Sequence, residues 1–443
     1  MRELPVSECE FEPGSVVDPV GRVFKHQGRM YRGIYAPYVD TVLQVLSLAE
    51  ANQWFDQGLI PTWRADFNLS GYPLVIEHKR VPFVTLRSEW CGEGLKEAAL
   101  CYLRVAAMLA EFQLCLKDAH PWNVLFDNTT PHMIDWGSIR PISELNWSCW
   151  YFQFRKYFLI PLYLFSLGQA ALARAMLREH HVGVGNVIID MPFTQRIPEE
   201  PYHIFQRRSQ IPPRRVFESL ADYASSLSLP RVEGKWISYE QPRFSSLTDQ
   251  NNLRTKDQIV LRLIESDPYS TVLDIGCNYG LHSEMGAGLG KRVVALDIEE
   301  TCLNDLFLRS RHTRRDILPL YVDFLWPVGE SGFMNTIPSA QDRLACDTCL
   351  VMALVHHLVF KHYSSLYAIA RNIWRFTRHR AIVEFVPPED WHVAQWAPER
   401  LPWYNTESFV AAMLEYFDRY TTIPSEPAPR QILVFEGKKY SLP

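Results

Sequence analysis

A paired-cysteine framework, an uninterrupted apolar run and an excess of positive charge are all missing from this 443-residue sequence. The nine cysteines are odd in number and scattered: Cys9, Cys91, Cys101, Cys115, Cys149, Cys277, Cys302, Cys346 and Cys349. Only Cys346-Asp-Thr-Cys349 has CxxC spacing, and it has no second half elsewhere. A zinc knuckle or dithiol site is therefore not indicated, and reduced, mostly buried thiols of a cytoplasmic protein are expected. The net charge of −5 argues against a nucleic-acid partner, whose binding proteins usually show a basic face. Residues 1–15 are polar and acidic, without the basic and then apolar regions of a signal peptide. The longest uncharged stretch, Tyr157 to Ala173, is short for a membrane span and contains Pro161, Gly168 and Gln169. It reads as a buried helix, and no stable membrane span is expected. No internal repeat or low-complexity tract is visible.

What remains is a globular composition, 47% hydrophobic and 21% charged, long enough for two or three domains. Gly21 to Tyr35 reads as a hairpin turning at His26-Gln-Gly28. Asp40 to Gln57 reads as an amphipathic helix capped by Asp40, and Tyr72 to Trp90 as two strands around Pro82. Lys96 to Leu116 reads as a long helix, and Trp150 to Arg178 as mostly helical. Residues 191–254 hold Pro192, Pro198, Pro201, Pro212, Pro213, Pro230 and Pro242 among charges, which suggests a connecting segment. From residue 255 onward, helix and strand alternate, the pattern of a parallel sheet with crossover helices. Three regions are thus expected: 1–190, 191–254 and 255–443.

The strongest local signal is Thr271-Val-Leu-Asp-Ile-Gly-Cys-Asn-Tyr-Gly280. A short apolar strand enters a glycine turn, where Gly276 and Gly280 let backbone approach a ligand. Asp274 stands at the strand's carboxyl end, where open α/β sheets bind ligands; capping of the next helix is its plain alternative. The next strand, Arg292 to Asp297, ends in an acid that can accept hydrogen bonds from both hydroxyls of a ribose. A third strand-like piece, Leu320 to Asp323, also ends in an acid. A fourth, Cys349 to Val355, is almost wholly apolar and leads into His356-His357. A fifth, Ala381 to Val386, contains Glu384 and is closed by Pro387-Pro388.

In this order the features resemble class I S-adenosylmethionine-dependent methyltransferases, more narrowly bacterial ones of the nodulation-protein type. The resemblance covers about the last 190 residues. It implies an α/β fold with a mainly parallel, Rossmann-like seven-stranded sheet, closed by an antiparallel pair within Tyr416 to Tyr440. It implies S-adenosylmethionine as cofactor, with Gly276, Asn278 and Gly280 lining its methionine end. Asp297 would hold the ribose, Asp323 would lie beside the adenine, and Phe324 would pack against the ring. Methyl transfer is an in-line displacement in which the protein positions the nucleophile and removes its proton. His356, His357, Glu384 and Asp390 are the candidate bases. Glu384 as a structural acceptor is the plain alternative, and no spacing argues for a metal site in this half.

Upstream, Asp118-Ala-His-Pro-Trp-Asn123 precedes His132-Met-Ile-Asp135-Trp-Gly137. This resembles the catalytic loop and metal-binding motif of aminoglycoside- and choline-kinase-like phosphotransferases, and implies a kinase-like α+β domain. By that resemblance Asp118 would orient a hydroxyl nucleophile, while Asn123 and Asp135 would hold Mg²⁺ against ATP. There are departures. Leu116 replaces the usual His, no glycine-rich loop is evident, and no strand carries the phosphate-binding Lys. Arg32 is the nearest substitute, ahead of Lys25 and Lys79, with Glu50 as its partner. As a fold brace instead, Asp118 and Asn123 would tie the loop and Asp135 would cap the segment after it.

Three functions compete. The first is a methyltransferase acting on a small molecule or glycan, with oxygen the preferred acceptor atom, whose degenerate kinase-like domain recognises the acceptor. The second is a bifunctional kinase–methyltransferase, and the third a non-catalytic cofactor-binding scaffold. The missing glycine loop favours the first; ATP and Mg²⁺ enter only if the kinase-like domain is active.

Overall fold

The computed structural model describes residues 2–178, 211–231, 234, 236 and 253–439. The chain divides into an N-terminal unit (Met1–Ser88 and Gly92–Arg231) and a C-terminal unit (Glu89–Cys91 and Val232–Pro443).

The N-terminal unit begins with an antiparallel sheet of five strands: β1 (Glu10–Phe11), β2 (Gly21–His26), β3 (Arg29–Ile34), β4 (Thr62–Arg64) and β5 (Leu74–His78). Their order is β1-β2-β3-β5-β4. The hairpin read from Gly21 to Tyr35 is β2–β3, turning at Gln27 and Gly28, both with positive φ. Helix α1 (Val39–Ala51) lies between β3 and β4 in sequence and buries Val42, Val45, Leu46 and Ala49 on one stripe. Asp40 falls in its first turn rather than at the cap, and Trp54–Gln57 is a separate turn because Gln53 adopts φ 56°. Only one strand, Leu74–His78, forms in the Tyr72–Trp90 stretch.

Helix α2 (Gly92–Ala110) ends before Gln113, whose φ of 59° turns the chain into a strand, Leu114–Leu116. That strand pairs with Ile139–Pro141, and a hairpin joins Val124–Asp127 to Thr130–Met133. Asp118 to Asn123 is thereby pinned between two short pairings. Most of the expected connecting segment 191–254 lies outside the described residues. Its described part includes a helix: α3 (Pro213–Ser226) packs on α2, and Lys96 Nζ donates to the Leu227 carbonyl at 2.8 Å. Pro212 and Pro213 occupy the N-cap and first helical position, where a missing N–H costs nothing. The helices after residue 146 break at Leu167-Gly168, and no described helix is long and apolar enough to cross a membrane. None of the nine cysteines is in a disulfide.

The C-terminal unit holds a seven-stranded sheet: β6 (Thr271–Ile275), β7 (Arg292–Asp297), β8 (Ile317–Tyr321), β9 (Cys346–Val351), β10 (Thr377–Phe385), β11 (Phe417–Pro424) and β12 (Gln431–Lys438). The order is β8-β7-β6-β9-β10-β12-β11, parallel except for β12, which runs antiparallel to both β10 and β11. The central strands are buried on both faces, as their apolar sequences require. Helix Leu366–Phe376 shows how the faces are covered: Leu366, Ile369, Ala370, Ile373 and Phe376 are buried at helical spacing, and Ser365 caps the start. Strand order reverses between β7-β6 and β9-β10, which opens a crevice at the carboxyl ends of β6 and β9. Glu89–Cys91 belongs to this unit: Trp90 bridges to Leu320, and the wholly buried Glu89 meets buried Arg343 through two bonds of 2.5 and 3.0 Å.

Two glycines of the turn after β6 differ in what constrains them. Both have positive φ, 72° at Gly276 and 81° at Gly280. A Cβ at Gly280 would stand 2.6 Å from Leu306, whereas one at Gly276 would make ordinary contact with Leu354 at 3.4 Å. Gly280→Ala should therefore destabilise by about 2–4 kcal/mol and Gly276→Ala by about 1–2 kcal/mol. Leu306→Ala should recover part of the first loss and none of the second. Denaturant unfolding of the two glycine variants, each with and without Leu306→Ala, checks the ranking; equal costs for the two glycines would refute it.

Candidate functional site

The C-terminal site is built on the turn Gly276–Gly280. The N–H groups of Gly276 and Cys277 both donate to the Leu296 carbonyl, at 2.8 and 3.0 Å, so the turn is stitched to β7. Asn278 has φ 50°, a left-handed conformation that asparagine tolerates. Its N–H thereby donates to Asp297 Oδ2 at 2.7 Å. Asp297 Oδ1 takes the N–H groups of Ile298 and Glu299 at 2.7 and 2.9 Å. Three of about four acceptor positions on this carboxylate are thus used. It has room for one ligand hydroxyl, not for the pair expected from sequence. Burial pushes its carboxyl up, against the pull of the three N–H groups.

Asp274 is buried and accepts from Ser283 Oγ at 2.6 Å, which ties β6 to the helix Leu281–Gly288. Asp323 lies two residues beyond β8; its Oδ1 accepts from the N–H groups of Leu325 and Trp326, leaving Oδ2 without a partner among the described residues. Phe324 follows Asp323 directly. It is buried with its ring against Phe376, and the open aromatic surface beside Asp323 is Trp326, 68% exposed. No sequence pattern singled out Trp326.

The histidines also differ from expectation. β9 stops at Val351, and His356 and His357 lie in the first turn of the helix Val355–His362. Ala353, with φ 50°, breaks the strand, and Val355, Leu358 and Val359 bury one helical face. His356 is buried, stacks on Trp396 with ring centres 5.6 Å apart, and has no partner for Nδ1 among the described residues. Burial, then His357, Arg430, His392 and Lys256, lowers its pKa to about 2. His357 is half-buried between the rings of Trp236, 4.4 Å away, and Trp396, 5.3 Å away.

The two acids proposed as alternative bases are already held. Glu384 is wholly buried and accepts from Lys256 Nζ at 3.1 Å, while its Oε1 has no described partner. Its partner is a helix lysine, not a loop's N–H groups. Asp390, also wholly buried, meets Arg430 through bonds of 2.8 and 3.3 Å and caps Trp391–Ala394. A further cluster escaped sequence reading: Asp257 receives Arg254 at 2.6 and 3.0 Å and the His282 ring at 3.1 Å. Burial alone would raise Asp257, but His282 and then Arg254 hold it well below the usual carboxylate range. Among the described residues no group of three or more His, Cys, Asp or Glu is arranged to hold a metal.

The residues present fit S-adenosylmethionine. Asn278 Oδ1 is a buried acceptor without a partner at the expected methionine end. One acceptor position remains on Asp297, and Asp323 Oδ2 is open.

In the N-terminal unit, Asp118 precedes a short turn, Pro121–Asn123, whose last residue is Asn123. The loop is tied by others: Ser138 Oγ accepts from the Asp118 N–H at 3.2 Å and Gln153 Oε1 from the Ala119 N–H at 2.9 Å. The Asp118 carboxylate makes no hydrogen bond or ion pair among the described residues, and the buried Asn123 Nδ2 has no partner there. The brace expected from these two side chains is absent, but Asp135 does cap the turn Trp136–Ser138, accepting from Gly137 at 3.0 Å. Burial lowers the pKa of His120, while Asp118 and then Asp135 oppose the shift from nearby, so the two acids share one neighbourhood. Arg32, on β3, does not pair with Glu50. It is buried between Asp18, from the loop joining β1 to β2, and Asp135, 2.9 Å away. Gly137 leaves space for this triad: a Cβ there would fall 2.6 Å from Arg32 Nη1 and 2.7 Å from Asp18 Oδ2.

No protein-family model matches the chain. It is similar to nodulation protein NoeA of Rhizobium meliloti (strain 1021), 27% identical over 440 residues that cover 90% of each chain. Solved structures similar to it include magnesium protoporphyrin IX methyltransferase ChlM from Synechocystis PCC 6803 with bound SAH. That match has 16% identity, 41% of this chain, 83% of that one and a TM-score of 0.31. N-methyltransferase NodS from Bradyrhizobium japonicum WM9 matches at 15% identity over 41% of this chain and 94% of its own, with a TM-score of 0.30. The bifunctional kinase-methyltransferase WbdD matches at 18% identity over 41% of this chain and 38% of its own, with a TM-score of 0.29.

His356 carries a pH dependence whose sign is fixed. Its pKa falls from 6.5 to about 2 on folding, so below pH 6.5 the unfolded chain binds a proton that the native state refuses. Its contribution to stability is intact above pH 6.5 and declines as the pH falls, by up to about 1.4 kcal/mol per pH unit. His356→Gln should lose stability less steeply than the parent between pH 6 and pH 4, roughly the window in which only the unfolded histidine titrates. Parallel pH–stability slopes for the two proteins would contradict this.

Proposed function

We propose that the C-terminal unit is an S-adenosylmethionine-dependent methyltransferase for a small polar acceptor, with a glycan hydroxyl as the preferred class. The N-terminal unit, 1–190 by sequence and extended here to α3, is proposed as a kinase-like domain that recognises the acceptor. The observation that carries the reading is the clamp of Asn278 onto Asp297 at the carboxyl ends of β6 and β7. It presents one open carboxylate position and one buried amide oxygen at the crevice of a sheet whose order reverses there.

When bound, the cofactor supplies a methyl group on a sulfonium, a strong electrophile with an excellent leaving group. The chain's own task is then orientation and proton removal. Asp297 would take one ribose hydroxyl, Asp323 Oδ2 an adenine donor, and Trp326 would offer an open ring face. His357 is the base of choice, since His356 is a buried neutral ring and Glu384 and Asp390 are held by Lys256 and Arg430. Trp391 and Trp403, 59% and 42% exposed in the loop after β10, suit the C–H faces of a sugar.

Support for a kinase-like N-terminal unit is its five-stranded sheet, the helix between third and fourth strands, and Arg32 on the third strand, where kinases carry their phosphate-binding Lys. Against phosphotransfer, the loop where kinases cover the phosphates sends Asp18 onto Arg32, and Arg32 engages the acid that would hold the metal. A bifunctional enzyme is kept as the second reading, because the Asp118 carboxylate and the Asn123 amide are both unengaged among the described residues.

Calorimetric titration of the full chain tests both halves. S-adenosylmethionine should bind, and Asp297→Ala should weaken it about 10- to 100-fold, the worth of one hydrogen bond to a charged group, with a lowered unfolding midpoint because three N–H groups lose their acceptor. Unaltered affinity would remove Asp297 from the ribose site. ATP with Mg²⁺ should give no heat; saturable binding would put the bifunctional reading first.

A further inference from the structure

Asn278 makes three separate connections, and only two are filled. Its N–H holds Asp297, and its Nδ2 donates to the Trp236 carbonyl at 3.0 Å. Its Oδ1 is buried and accepts from nothing among the described residues. An asparagine kept only for its left-handed backbone would leave its amide in solvent or satisfied within the fold, because a buried orphan acceptor is costly. The Trp236 indole meets the His357 ring edge-on at 4.4 Å, interplanar angle 60°, and His357 in turn faces Trp396, which carries Lys361 Nζ 4.1 Å over its ring. A continuous path therefore runs from the ribose acid through one amide side chain to the residue chosen above as base.

We propose that Asn278 is a positioning residue that couples cofactor binding to the acceptor side of the site. Its Oδ1 takes a donor from the bound cofactor, its Nδ2 then fixes the Trp236 carbonyl, and the Trp236 indole sets the His357 ring. This rests on the methyltransferase reading but is separable from it. The donor required is an ammonium or hydroxyl group, which S-adenosylmethionine and its demethylated product both possess, so both ligands should act alike. Methyl transfer itself needs no proton from Asn278.

The test uses the full chain labelled with 5-fluorotryptophan, with the Trp236 fluorine resonance assigned by its loss in Trp236→Phe. Saturation with S-adenosylmethionine should move that resonance. Asn278→Gly, which keeps the left-handed backbone open, should still bind the ligand about 3- to 10-fold more weakly by calorimetry, with the Trp236 shift abolished. Asn278→Asp, also tolerant of this conformation, removes the Nδ2 donor and should likewise abolish the shift; it carries the same reading if the glycine variant does not fold. Saturable binding that leaves the Trp236 resonance in place, or a shift in either variant equal to that of the parent, overturns the coupling. No calorimetric binding by the parent chain overturns the methyltransferase reading and this inference with it.

Discussion

Asn278 adopts a left-handed backbone, and that one conformation aims its N–H at the carboxylate ending the neighbouring strand. The rest of the C-terminal site depends on this bond. It fixes the distance between the turn and β7, leaves one acceptor position on Asp297, and determines where the Asn278 side chain can reach. The two glycines on either side serve it differently. Gly280 lets the following helix pack against Leu306, while Gly276 faces a less crowded environment in which only its positive φ is demanding. A motif that reads as three ligand-facing residues is therefore in part a packing device.

Beyond the turn, buried charge organises the crevice. Glu384 with Lys256, Asp390 with Arg430 and Asp257 with Arg254 and His282 are ion pairs whose acids are almost fully enclosed. Such pairs contribute little net stability compared with apolar packing, but breaking one strands a charge. Two of them place Lys256 and Arg430 near His356, whose neutrality follows from its burial and from His357 and these cations. The half-buried imidazole of His357 is flanked instead by the rings of Trp236 and Trp396.

The strands Thr271–Ile275 and Arg292–Asp297 were legible in the sequence, because an apolar run carrying Asp near its end has few other meanings in an alternating helix–strand chain; the third, read as Leu320 to Asp323, instead runs Ile317–Tyr321 and stops short of its acid. The closing pair was also legible: of the two strands read there, Arg419 to Ile423 falls within β11 and Arg430 to Phe435, but for Arg430 itself, within β12, around a proline-rich turn. What could not be read were connections across long separations. Lys256 and Glu384 are 128 residues apart, and Arg32 and Asp135 are 103 apart. No local spacing announces either. His356 and His357 were placed at a strand end because Cys349 to Val355 is continuously apolar, a pattern shared by buried strands and by the first turn of a buried helix. The packing of Phe324 against Phe376 was likewise not legible, because proximity in sequence to Asp323 says nothing of which way a ring turns.

The short excursion Glu89–Cys91 has a practical meaning for anyone who would divide this protein with a gene fragment. The C-terminal sheet uses those three residues although the remainder of its sequence begins at Val232. A fragment encoding only the latter would strip the Glu89 carboxylate from Arg343 deep inside the fold and remove Trp90 from its bridge to Leu320. The two units are thus interleaved along the chain. Their modularity is interrupted at a tripeptide, and any chimera or truncation that respects the structure has to carry it along.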